Sequence, residues 1–380
     1  MPPIRVCVDA TPLLVGHESG VSKFCRSLLS ALADNPAIDL SAFAITWRKL
    51  DQMRTEVPVG IPVRGRPMPA RPLRRAWLRL GWPPAEWFLG PTDVVHGTNF
   101  VVPPTTAAAR VVTVHDLTPV KYPELCDPAS LVFRDFVQRA VQLGSWVHTH
   151  SQYVADEVVD VFGADPSRVR AIWSGIPDLG DVAREGASHG APVLPAPVHR
   201  YVLAIGTVEP RKDFPGLVRA FDRIAGAHAD VALVIIGSDG WGSPALHDAV
   251  SSLAHRDRII RLGYVADADL VVWLRGAAAL AYPSRYEGFG YPPLLAMSLG
   301  VPVVTTSAGS IPEVVGGAAS LVPPDDVDAL AGALETVLDD HTLAASLRAA
   351  GRERARLFTW EHCADQMADL YAVASKAAAR

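Results

Sequence analysis

The chain has 380 residues, 49% of them hydrophobic and 20% charged, with a net charge of −5. That length predicts two domains of about 150–200 residues each, and the acidic balance excludes a nucleic-acid binder held by a strongly basic surface. No run of 18 apolar residues occurs, so no membrane-spanning helix is expected.

The N-terminus, "IRVCVDA", reads as a first strand and not as a signal peptide. Turn residues "GHESG" (16–20) follow, then the helical pattern "VSKFCRSLLSALADN". Residues 62–90, "PVRGRPMPARPLRRAWLRLGWPPAEWFLG", mix six Arg with three Trp. A helix from about Pro72 would set Trp77 beside Leu80 and turn Arg74, Arg75 and Arg79 toward solvent or a membrane surface. The plainer alternative is a core-docking helix with solvated arginines. "ARVVTVHDL" and "GSWVHTHS" read as later strands of the same half. Residues 178–199 are rich in Gly, Pro and Ala without a period and read as a linker.

A second series of apolar strands begins at "HRYVLAIGTVEP" and continues through "ADVALVIIGSDG", "RIIRLGYV", "AALAYPS" and "VPVVTTS". Continuous apolar strands alternating with helices imply parallel sheets buried on both faces. Two such series imply an α/β protein of two doubly wound, Rossmann-like domains, 1–178 and 199–358. The tail from Thr359 reads as a capped helix with acids in its first turn. The four cysteines, Cys7, Cys25, Cys126 and Cys363, lack paired spacing. They read as reduced thiols, which implies a cytoplasmic protein.

Ligands of open α/β sheets bind beyond the carboxyl ends of the strands. Facing strand-end loops in two domains imply a cleft. "GTVEPRK" (206–212) ends a strand with Arg211 and Lys212, a pair suited to a diphosphate. In "YEGFGYPP" (286–293) the glycines let backbone amides approach an anion, and Pro292-Pro293 open a helix. Glu287 beside them suits sugar hydroxyls better than phosphate. His115 at a strand end is either a satisfied core histidine or a polar contact to a ligand. Gly20 opens a helix where a ligand could approach the backbone.

Taken in order, "GHESGVSKF", "TVHDLTPVKYPE", "SQYVADEVVDVFG", "GTVEPRKD", "RLGYVADADL" and "PSRYEGFGYPPLLAMSLGVPVVTTSAGSIPEVVG" resemble the retaining GT-B glycosyltransferases of family 4. The resemblance covers nearly the whole chain, is nearest to the bacterial mannosyl- and rhamnosyltransferase-like members, and implies that the last helix, 359–380, returns to complete the first domain. It implies transfer of a hexosyl or deoxyhexosyl group from a nucleotide-diphosphate sugar to a small-molecule, saccharide or lipid-linked acceptor, with no metal or other cofactor. It implies that Arg211 and Lys212 hold the phosphates, and that Gly263, Tyr264 and Val265 lie near the base. Glu287 corresponds to the first Glu of the family's E-x7-E motif. Phe289, Gly290 and Tyr291 would offer backbone to sugar or phosphate, His115 would face the donor sugar, and Gly20 would lie near the diphosphate.

One position departs from the pattern. The second motif Glu, which binds ribose hydroxyls in the family, falls at Leu295. A donor without a 2′-hydroxyl, such as a dTDP-sugar, would lose less by that change. A catalytically degenerate GT-B protein serving as partner of another transferase is an alternative. A GT-B nucleotide-sugar epimerase is another, expected to lack "EPRK" and "EGFG".

Overall fold

The computed structural model describes residues 2–14, 19–176, 194 and 197–379. Most of the predicted linker and residues 16–18 of the "GHESG" loop lie outside the described residues. The chain divides into two compact units, Met1–Pro123 with Pro128–Pro177 and Phe358–Arg380, and Glu124–Asp127 with Asp178–Leu357.

The first unit holds a seven-stranded parallel sheet: β1 (Ile4–Asp9), β2 (Ile38–Phe43), β3 (Val63–Arg64), β4 (Val94–Gly97), β5 (Ala109–Val114), β6 (Trp146–Thr149) and β7 (Val169–Ala171), in the order β3-β2-β1-β4-β5-β6-β7. The strands are β-branched and apolar, and helices cover the sheet, so it reads as a doubly wound layer. The helix Gly20–Ala33 begins with a capping box in which Ser19 and Ser22 exchange side-chain and backbone hydrogen bonds. It buries Phe24, Cys25, Leu28, Leu29 and Leu32 against β1 and the C-terminal helix Trp360–Ala378. Thr359 caps that last helix through the His362 N–H at 3.1 Å. It contributes Cys363, Met367, Leu370 and Tyr371 to the same core.

The second unit holds a six-stranded parallel sheet: β8 (Arg200–Ile205), β9 (Val231–Ile236), β10 (Ile259–Gly263), β11 (Ala279–Tyr282), β12 (Val303–Thr306) and β13 (Ser320–Val322), in the order β10-β9-β8-β11-β12-β13. All six residues of β9, "VALVII", are buried, as a strand covered on both faces requires. Two parallel-sheet α/β units are the fold class that the alternation predicts.

The Arg/Trp segment forms the core-docking helix of the plainer alternative, with Trp77 in the core. Its helix runs Ala70–Leu80, and Trp77 and Leu80 part company: Trp77 is 3% exposed and Leu80 72%. The Trp77 indole N–H donates to the Pro83 carbonyl at 2.9 Å, and its ring stacks on Phe88. A buried acceptor for the indole fixes Trp77 inward. Arg74 is half-buried, whereas Arg75 and Arg79 are exposed. Among the described residues no helix is long and apolar enough to cross a membrane.

Candidate functional site

In the second sheet β8 and β11 are neighbours, and the strand order runs away from them in both directions. Their carboxyl ends therefore flank the topological switch point, where open α/β sheets bind ligands. The loop after β8 carries Arg211 and Lys212; the loop after β11 carries Glu287. The Arg285 N–H donates to the Arg211 carbonyl at 2.8 Å and joins the two loops. Asp213, directly after Lys212, adopts a left-handed φ of 47° and caps the helix Phe214–Ala225 through the Gly216 N–H. Strain of that kind in a non-glycine residue persists where the surroundings hold it.

Glu287, 6% exposed, is gripped from several sides. Its Oε1 accepts from Lys212 Nζ at 2.7 Å and from the Tyr282 hydroxyl at 2.8 Å, and its Oε2 pairs with Arg211 at 2.7 Å. Lys212 also bonds the Tyr282 hydroxyl, and Arg211 reaches the Tyr286 carbonyl at 2.9 Å and Glu209 at 3.4 Å. Behind the carboxylate, the Glu287 carbonyl accepts from the Ser310 N–H and hydroxyl, both at 3.0 Å. Gly309, at φ 59°, lies flush against it: a Cβ there would meet the Glu287 carbonyl oxygen at 2.4 Å.

Burial alone would raise the Glu287 carboxyl, but the charges of Arg211 and Lys212 outweigh it and pull it down to about 2. Burial also takes Lys212 below its ordinary range, offset in part by Glu287. Glu287 is thus an acceptor only at neutral pH. A carboxylate offers about four lone-pair positions; Lys212, Tyr282 and Arg211 take three.

The helix Tyr291–Ser298 starts at Gly290, whose φ of 96° and contact with Ile311 exclude a side chain. Phe289 is buried and Tyr291 half-buried. Leu295 is 7% exposed and is the fifth residue of this helix, past the reach of the helix-end charge. Gly263 ends β10 with φ 70°, and Tyr264 beyond it is 60% exposed with Val265 half-buried. Tyr282, Gly309 and Ser310 went unassigned in the sequence. The tyrosine sits in plain view ahead of "PSRYEGFG".

In the first unit His115 belongs to a group of four histidines at the strand ends. Its Nε2 lies 2.8 Å from the Thr98 carbonyl and its Nδ1 2.8 Å from His150 Nε2, while Ser174 Oγ lies 2.9 Å from His150 Nδ1. A carbonyl can only accept, so His115 carries its proton on Nε2. His150 then donates from Nε2, and Ser174 donates to His150. A second line runs from the Tyr371 hydroxyl through His96, Thr113 and His148 to the Ile172 carbonyl, at 2.7, 2.8, 2.9 and 3.1 Å. Burial pushes His115 and His148 down to about 4 and holds His96 and His150 well below their ordinary range. Both ring nitrogens of His115 are therefore engaged within its own unit, the bonding of a satisfied histidine, and its ring is half-buried. Among the described residues outside its own chain neighbours and helix backbone, nothing lies within 4 Å of where a Cβ on Gly20, the first residue of its helix, would stand.

The described residues contain one group with metal-ligand spacing, His228, Glu335 and Asp339, and both of its carboxylates are exposed. None of the three belongs to the Arg211–Lys212–Glu287 site.

Residues 19–178 match the family described as Glycosyltransferase Family 4, and residues 199–340 the one described as Glycosyl transferases group 1. The chain is 31% identical over 283 residues to O-antigen chain mannosyltransferase B of Escherichia coli, a match covering 73% of this chain and 74% of that one. Among solved structures, sucrose-phosphate synthase from Thermosynechococcus elongatus superposes with a TM-score of 0.71 at 23% identity, over 97% of this chain and 98% of that one. HepE of Anabaena, solved with UDP-glucose, superposes with a TM-score of 0.68 at 18% identity, over 96% and 98%. At those identities the two structures share the fold.

Proposed function

We propose, since the chain belongs to the family 4 glycosyltransferases, that it moves a hexosyl or deoxyhexosyl group from a nucleotide-diphosphate sugar to an acceptor hydroxyl, with retention and without a metal. Its two doubly wound parallel-sheet units make it a GT-B protein. The E. coli relative is named for mannosyl transfer to an O-antigen chain, and a neighbour of the same fold is solved with UDP-glucose. Both favour a nucleotide-sugar donor and a saccharide acceptor.

The observation that carries the reading is Glu287 held by Arg211 and Lys212 at the switch point of the second sheet. Departure of a nucleoside diphosphate develops negative charge on a phosphate oxygen. Two fixed cations lower the energy of that charge without reorganising in the reaction. The anomeric carbon gains positive character as the bond breaks. Glu287, anionic and with three of its positions taken, has room for one sugar hydroxyl. The acceptor hydroxyl then attacks on the face the phosphate leaves, and the phosphate takes its proton. In this scheme His115 is a neutral positioning group for the sugar, and the amides at Phe289, Gly290 and Tyr291 border the diphosphate. Gly20 leaves room on the first unit's side, while Gly263, Tyr264 and Val265 border the base.

Leu295 favours a donor whose nucleoside lacks the 2′-hydroxyl, a dTDP-sugar. The free thiols of Cys7, Cys25, Cys126 and Cys363 fit a cytoplasmic setting. Leu295 is also the one support for a second reading, a degenerate GT-B partner protein. Acceptor-dependent release of nucleoside diphosphate, measured over UDP-, GDP-, ADP- and dTDP-hexoses with and without chelator, decides between the two. Release with the anomeric configuration kept and no effect of chelator supports the transferase. No release with any donor supports the partner protein.

A further inference from the structure

The segment after the helix Ala70–Leu80 exposes large apolar side chains at close quarters. Leu80 is 72% exposed, Trp82 52% and Trp87 63%. The two indoles meet edge to face at 5.1 Å, so they form one aromatic surface and not two separate accidents. Single exposed apolar residues are ordinary; three within eight positions are not.

Charge lies beside them. Arg71, Arg75 and Arg79 recur at helical i, i+4 spacing and are all exposed, so they form a stripe that runs into Leu80 and Trp82. Among the described residues no carboxylate pairs with any of the three. The one acid of residues 62–90, Glu86, is turned away: its Oε1 accepts from the N–H groups of Thr106, Ala107 and Ala108 at 2.8, 2.9 and 3.1 Å. An unneutralised cationic stripe thus borders an aromatic patch on a chain whose net charge is −5.

We infer that this face docks on an anionic phospholipid bilayer. Indole rings partition to the boundary between headgroups and acyl chains, and guanidinium groups beside them pair with lipid phosphates. Charge complementarity decides for lipid over a neutral apolar partner, because no carboxylate among the described residues pairs with these arginines. The helix would lie in the plane of the interface, with Trp77 anchoring it to the core of the first unit beside Phe43, Val95 and Phe136. This goes beyond the proposed transfer reaction, which needs no membrane.

The test is sedimentation of the full chain with vesicles of phosphatidylcholine alone and of phosphatidylcholine with phosphatidylglycerol. Binding is expected to the anionic vesicles only, to fall with salt, and to weaken about tenfold or more in Arg75→Glu/Arg79→Glu. A similar loss is expected in Trp82→Ala/Trp87→Ala, with the wild-type indole emission shifted to the blue on binding. All four positions are exposed, so both double variants should keep the wild-type circular dichroism. Absence of binding to either vesicle overturns the inference, and so does binding that neither variant weakens. Vesicle-free protein that instead forms a dimer broken by the Trp variants makes this a protein interface and also overturns it. Nucleoside diphosphate release with a soluble acceptor, measured on the same variants, should be unchanged; its absence in the wild type counts against the transfer reading and not against docking.

Discussion

Tyr282 and Lys212 converge on the same oxygen of Glu287, at 2.8 and 2.7 Å, and also bond one another. The three side chains make a closed triangle in which the phenol accepts from the ammonium and donates to the carboxylate. Tyr282→Phe removes one bond from each partner and little volume. A hydrogen bond to a charged group contributes about 1.5–3 kcal/mol. We expect kcat/KM to fall by about tenfold or more with the fold retained, as steady-state kinetics and circular dichroism would record. Unchanged kinetics would mean that Tyr282 only fills space.

Glu287→Gln keeps the shape of the site and removes its negative charge. Lys212 then loses its carboxylate partner and Arg211 keeps Glu209 at 3.4 Å, a buried pair broken at a cost of about 3–5 kcal/mol of stability. Transfer should fall more than about tenfold. Affinity for the free nucleoside diphosphate, read by titration calorimetry, should hold or rise, since the cations no longer have a carboxylate to share. Weaker binding of the diphosphate would falsify the assignment of those cations to phosphate.

Leu295→Glu restores the family's second acid at a position that is 7% exposed. An uncompensated carboxylate there is driven to a raised pKa and destabilises the second unit by several kcal/mol, on the order of the cost of a buried polar group. A raised folded pKa makes the penalty full at high pH and absent below the ordinary carboxyl range near 4.3. The melting temperature of the variant should therefore fall well short of wild type at about pH 8 and approach it near about pH 5. If the position faces the ribose, a UDP- or GDP-sugar should recover more of that loss than a dTDP-sugar.

The histidine group sets an acid limit on the first unit. His148 is fully buried and titrates at about 4 in the fold, against an ordinary value of 6.5. The unfolded chain binds the proton first, so stability is complete above 6.5 and is lost as pH falls toward 4. At pH 5 this residue alone costs about 2 kcal/mol relative to neutral pH, and His96, His115 and His150 act in the same direction. Urea unfolding at neutral pH and at pH 5 should show the lower midpoint at acid pH. A midpoint that does not move would sink the neutral assignment of these rings.

Arg211, Lys212 and Glu287 were legible in the sequence because each follows an apolar strand at a turn. Their meeting was not, because it depends on β8 lying beside β11, a neighbour relation between strands far apart in the chain. The histidine lines were hidden for the same reason. Thr113 stands opposite His148 in the β5–β6 register, and two residues on, past the strand ends, His115 and His150 meet at 2.8 Å. The period-2 alternation in "VHTHS" was a usable signal that two histidines share a face. Helical spacing left the side of Trp77 open, since it places the indole next to Leu80 but says nothing of the Pro83 carbonyl that draws it inward.

The first unit is made from both ends of the chain, with Met367, Leu370 and Tyr371 closing a core begun by Val6, Val8, Leu28 and Leu29. The consequence is one of timing. A ribosome emits β1 early and the closing helix more than three hundred residues later, so the unit begun first is finished last. The second unit, which apart from Glu124–Asp127 ends at Leu357, can complete its core while the other still shows an open apolar face. In chains stalled after Leu357 a protease should therefore spare β8 to β13 and cut within β1 to β7, with His96 still lacking the tyrosine that donates to it.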